Sequence, residues 1–291
     1  MSMLESVIAS PEVVHYICKR FGIHMSKKLG QNFLISRHVV DDIIKTAELL
    51  PGEPVLEIGP GIGTLTQGLA QSKADVTAVE LDRRLLEVLD TTLADYKNVK
   101  IIHGDILKVN IPEIMNHKPF KVVANLPYYI TTPIIMSLLE MKLPIERLVV
   151  MVQKEVAERM VAQPGTKAYG ALSAAVQYYT EPSIAFDVLP KSFLPAPEVT
   201  SSVVCCKLRK EPPVKVDEEA ILFRVIKAAF AQRRKTFSNT MKTTGLSKEQ
   251  IDAILQEAQI EGNRRGETFT LDEFAAIANA WSRLYRQSAD A

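Results

Sequence analysis

Cysteine is scarce in this chain, with three residues in 291: Cys18, Cys205 and Cys206. The count is odd, two of the three are neighbours, and no Cys/His spacing fits a zinc site. Reduced, structural thiols follow, in a cytoplasmic protein with no metal centre. No stretch reaches the roughly 18 apolar residues that a membrane span needs. The opening Met1-Ser2-Met3-Leu4-Glu5 has no basic region leading into an apolar run, so no secretory signal is expected. Only 13 Gly and 16 Pro are present, which excludes collagen-like or low-complexity character. Charge of either sign is hardly in excess: 35 basic against 34 acidic residues give a net +1. A globally basic nucleic-acid coat is thereby excluded, and any nucleic-acid surface must be a local patch. Self-similarity at periods of about 20–50 residues is absent, so a repeat array is excluded too.

What is present reads as two domains, as the 291 residues already imply at about 150 residues each. Ser10-Pro11-Glu12 starts a helix, with a capping hydroxyl, Pro at the first position and an acid near the dipole. Ser36 opens another, with Val39, Val40, Ile43, Ile44 and Ala47 along one face, and Pro51-Gly52 ends it. Short apolar runs at 54–58, 75–80, 99–102, 121–124 and 147–152 then alternate with helical stretches. Each has the length of a buried parallel strand, so an α/β sheet with helices on both faces is predicted. Segments 183–188 and 201–208, flanking Pro190, Pro195 and Pro197, read as an antiparallel hairpin closing the sheet. Beyond the linker Glu211-Pro212-Pro213 only helices are expected, two of them opened by the capping pairs Ser247/Gln250 and Thr270/Glu273. The predicted division is an α/β domain over 1–209 and a small all-α domain over 210–291.

The sharpest local signal is Glu57-Ile58-Gly59-Pro60-Gly61-Ile62-Gly63-Thr64, a strand running through glycines into a helix. Small residues let the backbone approach a ligand, and the helix N-terminus adds positive potential. Glu80 ends the next strand about 20 residues on, where a carboxylate can accept from ribose hydroxyls. Thr64 occupies the place where a nicotinamide loop wants its third glycine, which disfavours an oxidoreductase; the spacing is similar to an S-adenosylmethionine loop. Asp105, after the third strand, can accept from an adenine amine, and Ile106 can pack on the ring.

The fourth strand ends in Asn125-Leu126-Pro127-Tyr128. Pro127 holds its predecessor extended, so the Leu126 carbonyl is a fixed acceptor. The Asn125 side-chain oxygen is a second acceptor, and Tyr128 offers a face for a base. Two acceptors gripping one exocyclic amine favour a more tetrahedral nitrogen and aim it at an incoming methyl. The chemistry needs no metal, triad or acid pair. The base must leave its stack to get there, and an aromatic wall offsets part of that cost.

Together with Lys28-Leu29-Gly30-Gln31-Asn32-Phe33-Leu34, Glu80-Leu81-Asp82, Gly104-Asp105, Phe193-Leu194-Pro195-Ala196-Pro197-Glu198-Val199 and Gln232-Arg233-Arg234-Lys235, these motifs stand in one order over nearly the whole chain. The set resembles the ribosomal RNA adenine N6,N6-dimethyltransferases, and within them the bacterial small-subunit branch linked to kasugamycin sensitivity. The resemblance implies a Rossmann-like class I methyltransferase domain with a mainly parallel seven-stranded sheet and S-adenosylmethionine as cofactor. It implies as substrate two adjacent adenosines in a hairpin near the 3′ end of 16S ribosomal RNA, in the immature 30S subunit. Carried over by position, Asn32 and Leu34 line the methionine end, with Gln31 beside them. Gly59 and Gly61 admit the cofactor backbone contacts, Glu80 holds the ribose and Asp105 the adenine, with Leu81 and Ile106 also in the cofactor-binding set. Asn125, Leu126, Pro127 and Tyr128 are the catalytic set, with Asn125 next to the transferred methyl and Phe193 as a second aromatic surface for the target base. One departure is Tyr129-Ile130-Thr131, where the family more often has Asn-Ile-Ser.

Residues 221–242 hold Arg224, Lys227, Arg233, Arg234, Lys235 and Lys242 and no acid, a local +6 in a chain of net +1. Arg224, Lys227, Arg233, Arg234 and Lys235 are the expected RNA contacts, with Lys27, Lys28, Arg264 and Arg265 as extensions; phosphate contacts position RNA without reading its sequence. Two alternatives stay open: a large-subunit 23S methyltransferase of the macrolide-resistance type, and a ribosome-assembly factor whose binding outweighs its methylation. Pro133 after Thr131-Thr132 and the long helical tail favour the small-subunit enzyme. No heptad or extra apolar stripe marks a dimer, so a monomer is expected.

Overall fold

The computed structural model describes residues 7–23 and 32–285. In chain order the elements are α1 (Pro11–Arg20), β1 (Phe33–Leu34), α2 (Arg37–Ala47), β2 (Pro54–Ile58), α3 (Thr64–Gln71), β3 (Asp75–Glu80), α4 (Leu86–Thr92), β4 (Val99–His103), α5 (Ile111–Ile114), β5 (Phe120–Asn125), α6 (Thr131–Glu140), β6 (Ile145–Gln153), α7 (Lys154–Val161), α8 (Ala171–Tyr179), β7 (Thr180–Val188), β8 (Phe193–Leu194), β9 (Ser201–Leu208), α9 (Glu219–Ala229), α10 (Phe237–Met241), α11 (Lys248–Ala258) and α12 (Leu271–Tyr285). Three of the four expected helix starts carry their caps, while Ser36 takes the N-cap position of α2 without a side-chain capping bond. The Ser10 hydroxyl accepts from the Val13 N–H, Ser247 and Gln250 bond each other's backbone, and Thr270 and Glu273 do the same.

Seven strands form one sheet in the order β4-β3-β2-β5-β6-β9-β7. The first five are parallel, and β9 runs antiparallel to β6. The mostly parallel sheet and its closing strands are thus as expected, with β9 lying between β6 and β7. Central β2 and β5 are buried almost throughout, because helices cover both faces. From β2 the chain builds outward to β3 and β4, then returns to lay β5 and β6 on the other side. That reversal opens a crevice at the carboxyl ends of β2 and β5, where ligands bind in such sheets.

Two compact units are present: Met1–Ala157 with Pro182–Leu208, and Glu158–Glu181 with Arg209–Ala291. The stretch 158–181, placed by the sequence reading in the first domain, therefore belongs with the helical unit. The reason is apolar burial. Tyr169, Ala174 and Tyr178 share a core with Leu222, Ile226, Phe237, Phe274 and Trp281. Arg209 fastens the second crossing by donating to the carbonyls of Gln177 (3.2 Å) and Thr180 (3.1 Å).

In the first unit, α2 and α3 pack Val40, Ile43, Leu65 and Leu69 against Val55, Val123 and Val149 of the sheet. Gly68 makes that helix pair possible, since a Cβ there would lie 2.4 Å from Val40 Cγ1 and 2.8 Å from Ile44 Cδ1. Val40 is β-branched and buried, so it cannot swing away. Gly68→Ala gains about 1 kcal/mol of helix propensity but costs roughly 1–3 kcal/mol in overpacking. A net loss of stability is expected, read as a melting temperature lower by a few degrees in a thermal unfolding scan.

Candidate active site

The loops at the carboxyl edge enclose a cavity of about 390 Å³. That volume suits a ligand of cofactor size. Its wall gathers the expected residues from five separate parts of the chain: Asn32 and Leu34, Gly59 and Gly61, Glu80 and Leu81, Asp105 and Ile106, and Asn125 through Tyr128. Gln31, Lys27 and Lys28 lie outside the described residues.

Gly59 and Gly61 adopt φ of +67° and +62°, a region that side chains rarely enter. A Cβ on Gly61 would also stand 3.3 Å from the Phe33 ring. The glycines therefore serve both the turn and the close approach. Glu80 is 6% exposed; its Oε2 accepts from the Gly61 N–H at 3.1 Å and its Oε1 from the Asp82 N–H at 2.7 Å. Burial pushes its pKa up, against these two bonds, which favour the carboxylate. Asp82 caps the following turn through the Arg84 N–H (3.0 Å) and pairs with the Arg84 guanidinium. Leu81 is exposed and Ile106 buried. They line the cavity at the ends of β3 and β4, together with the half-buried Asp105.

The tetrad is tied down residue by residue. Asn125 Nδ2 makes a long bond to the Asn32 carbonyl (3.5 Å), which leaves Oδ1 as the acceptor. The Leu126 N–H donates to the Met151 carbonyl of β6 (3.1 Å). The Pro127 carbonyl accepts from the Ile130 N–H (3.2 Å) and from the Thr131 hydroxyl (2.9 Å). Tyr128 Oη shares a 2.7 Å bond with Ser201 Oγ, at the start of β9.

Phe193 requires a correction. It is 2% exposed, pairs with Leu34 across the β1–β8 ladder and packs into the core with Val188 and Val203. The cavity wall holds its ladder partner Leu34, not Phe193. A ring so enclosed presents no face to a base, and its apolar character, which alone reads as core, is what decides its place.

The basic segment is exposed as expected, but its members differ. Arg224 stacks on Trp281 (4.9 Å) and donates to the Thr244 carbonyl, while Arg233 donates to the Lys167 carbonyl and lies 3.9 Å from Glu267. Arg264 lies over Phe269 at 4.4 Å and pairs with Glu273, so it braces the helical unit. Lys227, Arg234 and Lys235 are exposed and form no ion pair among the described residues.

Glu57 was part of the loop motif but not of the expected site. It lines the cavity at 1% exposure, and its Oε2 has no hydrogen-bond partner among the described residues. Burial, opposed by the Thr66 hydroxyl and helped by a smaller contribution from the nearby Glu80 charge, pushes its pKa up to about 8. The native state thus keeps a proton that the unfolded chain releases near 4.5. Stability from this group is full at acid pH and is lost as pH rises through about 8. Urea midpoints are expected to fall between pH 5 and pH 8.5 in the wild type, and to fall less in Glu57→Gln.

Comparisons with known proteins agree with this geometry. A family model described as ribosomal RNA adenine dimethylase matches residues 22–281. Ribosomal RNA small subunit methyltransferase A of Alkaliphilus metalliredigens (strain QYMF) is 48% identical over 276 residues, covering 93% of this chain and 96% of its own length. The protein so named in Geobacillus sp. (strain WCH70) is 48% identical over 282 residues, covering 94% and 97%. Among solved structures, a dimethyladenosine transferase from Plasmodium falciparum shares the fold, with a TM-score of 0.71 at 24% identity over 84% of this chain and 95% of that one. The 23S rRNA methyltransferase ErmE matches with a TM-score of 0.64 at 28% identity, over 86% and 100%. With a matching class I methyltransferase architecture and close relatives over nearly its full length, the chain belongs to the ribosomal RNA adenine dimethylase family.

Proposed function

We propose that this protein uses S-adenosylmethionine to dimethylate the N6 amines of two adjacent adenosines near the 3′ end of 16S ribosomal RNA, in the immature small subunit. One observation carries the reading. The paired acceptors of Asn125 and Leu126 share a single cavity with the glycine loop, Glu80 and Asp105. The residues fit such a cofactor: a Cβ at Gly61 would crowd the Phe33 ring in the same cavity wall, and the buried Glu57 Oε2 and Thr64 Oγ1 lack partners that a polar ligand would supply. Glu80 would hold the ribose, Asp105 the adenine, and Asn32 and Leu34 the amino-acid end. When bound, the cofactor supplies an electrophilic methyl on a sulfonium.

The protein's own part is positioning. An adenine N6 is a weak nucleophile because its lone pair is delocalised into the ring. In the first transfer Asn125 Oδ1 and the Leu126 carbonyl accept its two hydrogens, which localises the lone pair and aims it; in the second, the one remaining N–H is held by one of the two acceptors. The half-buried Tyr128 gives the extruded base an aromatic wall, with its hydroxyl held by Ser201. Preorganised acceptors of this kind gain from exclusion of water, and Leu126 and Ile134 help to keep the cavity apolar. Lys227, Arg234 and Lys235 would contact phosphates. The relatives at 48% identity carry a small-subunit name, which favours this substrate over the large-subunit alternative.

The deciding experiment supplies labelled cofactor and purified protein, in separate reactions, to small and to large subunits from a strain lacking the gene, followed by nucleoside analysis. Dimethyladenosine on small-subunit RNA is expected; label on large-subunit RNA alone, or no label despite binding, overturns the proposal. Asn125→Ala is expected to lower kcat by about a hundredfold or more while cofactor affinity stays near wild type. Glu80→Ala is expected to weaken cofactor binding first, by some tens-fold in equilibrium dialysis. Replacing Arg234 and Lys235 together with Gln is expected to reduce the slope of log affinity for the subunit against log salt by about 1–2, with no change in cofactor affinity.

A further inference from the structure

Tyr129 is the one tetrad neighbour that the proposed chemistry leaves without a task. It lines the cavity wall, yet it is 61% exposed. It makes no hydrogen bond, ion pair or ring contact among the described residues. The turn that holds it is well fixed. The Ile130 N–H donates to the Pro127 carbonyl at 3.2 Å, so Tyr128 and Tyr129 occupy the two central positions. The Thr131 hydroxyl pins the same carbonyl at 2.9 Å. One ring is thereby drawn inward and anchored by Ser201, while the next stands at the rim. An exposed, uncommitted aromatic on a rigid turn is an apolar surface that folding has not used.

We infer that Tyr129 stacks on the nucleobase adjacent to the target adenine; the inference rests on the proposed function and deepens it. Extruding one base strips its neighbour of a stacking partner on one face. That neighbour is covalently tied to the target, so it must lie just outside the cavity mouth when the target is inside. A flat aromatic at this rim replaces the lost stack, and it does so whatever the identity of the base. Tyr129 is accordingly a positioning residue for RNA: it steadies the nucleotide next to the reacting one and touches neither cofactor nor reacting nitrogen.

The test uses the full chain and undermethylated small subunits, with Tyr129→Ala, Tyr129→Leu and Tyr129→Phe. Because the side chain is exposed, all three are expected to melt within a few degrees of the wild type. Ala and Leu are expected to raise both the Kd for subunits and the KM for RNA by roughly tenfold, the size of one lost base–aromatic stack. Their kcat stays within about threefold and their cofactor Kd is unchanged. Phe retains wild-type values, because the ring and not the hydroxyl does the work. Wild-type Kd and KM in Ala, or Phe as impaired as Ala, overturns the inference. If the wild type binds subunits but transfers no methyl, the functional proposal fails, while the Kd series still decides the role of Tyr129.

Discussion

A single carboxylate joins the two halves of the cofactor-sized cavity. Glu80 sits at the end of β3, almost enclosed, and takes one N–H from the glycine loop after β2 and one from its own loop at Asp82. A buried carboxylate without partners would cost several kcal/mol or take up a proton. The loops must therefore fold toward it, and the positive φ at Gly61 is the conformation that lets the first one do so. The parallel register of β2 with β3 sets the distance to be bridged, and the sheet reversal at β5 leaves the space above it open. Loop shape, cavity and sheet order thus depend on one another.

The lip formed by residues 125–128 follows the same logic with neutral groups. Each residue from Asn125 to Tyr128 has an anchor on a different element: the segment before β1, strand β6, helix α6 and strand β9. Four independent tethers leave little freedom to the acceptors, and freedom removed at folding need not be removed again at the moment of reaction. The anchors lie up to 93 residues away in sequence. They explain why a motif of four residues needs a whole domain around it.

Much of this was legible beforehand, for identifiable reasons. Segments 54–58 and 75–80 coincide with β2 and β3 because a parallel strand covered on both faces reads as an apolar run ended by glycine or charge. The loop and tetrad were legible because Gly and Pro restrict the backbone locally. What was not legible depended on tertiary partners. The apolar faces of 158–181 fit either core equally well by pattern, and only their packing with Phe274 and Trp281 assigns them. Phe193 was given a functional role by resemblance, whereas its burial follows from pairing with a segment 159 residues earlier. Charge counting along 221–242 could not separate Arg224 and Arg233, which brace the helical unit, from Lys227, Arg234 and Lys235, which form no ion pair among the described residues. Ser201, the anchor of Tyr128, carries no local signal at all.

The electrostatics of the cavity complete the picture. Glu57 and Glu80 are buried close enough to raise Glu57 further, and neither is paired with a cationic side chain among the described residues. Glu57 keeps its proton near neutral pH, so the negative charge of the cavity rests on Glu80, and a cationic ligand beside it would lower its pKa and offset its desolvation. On the proposed function, S-adenosylmethionine would bring a sulfonium and an ammonium, beside its own carboxylate, toward that charge. The lip at residues 125–128, by contrast, has no ionised side chain and presents an amide oxygen and a backbone carbonyl. An amine that becomes cationic as the methyl arrives is served by such acceptors, which strengthen with developing charge and hold no proton of their own.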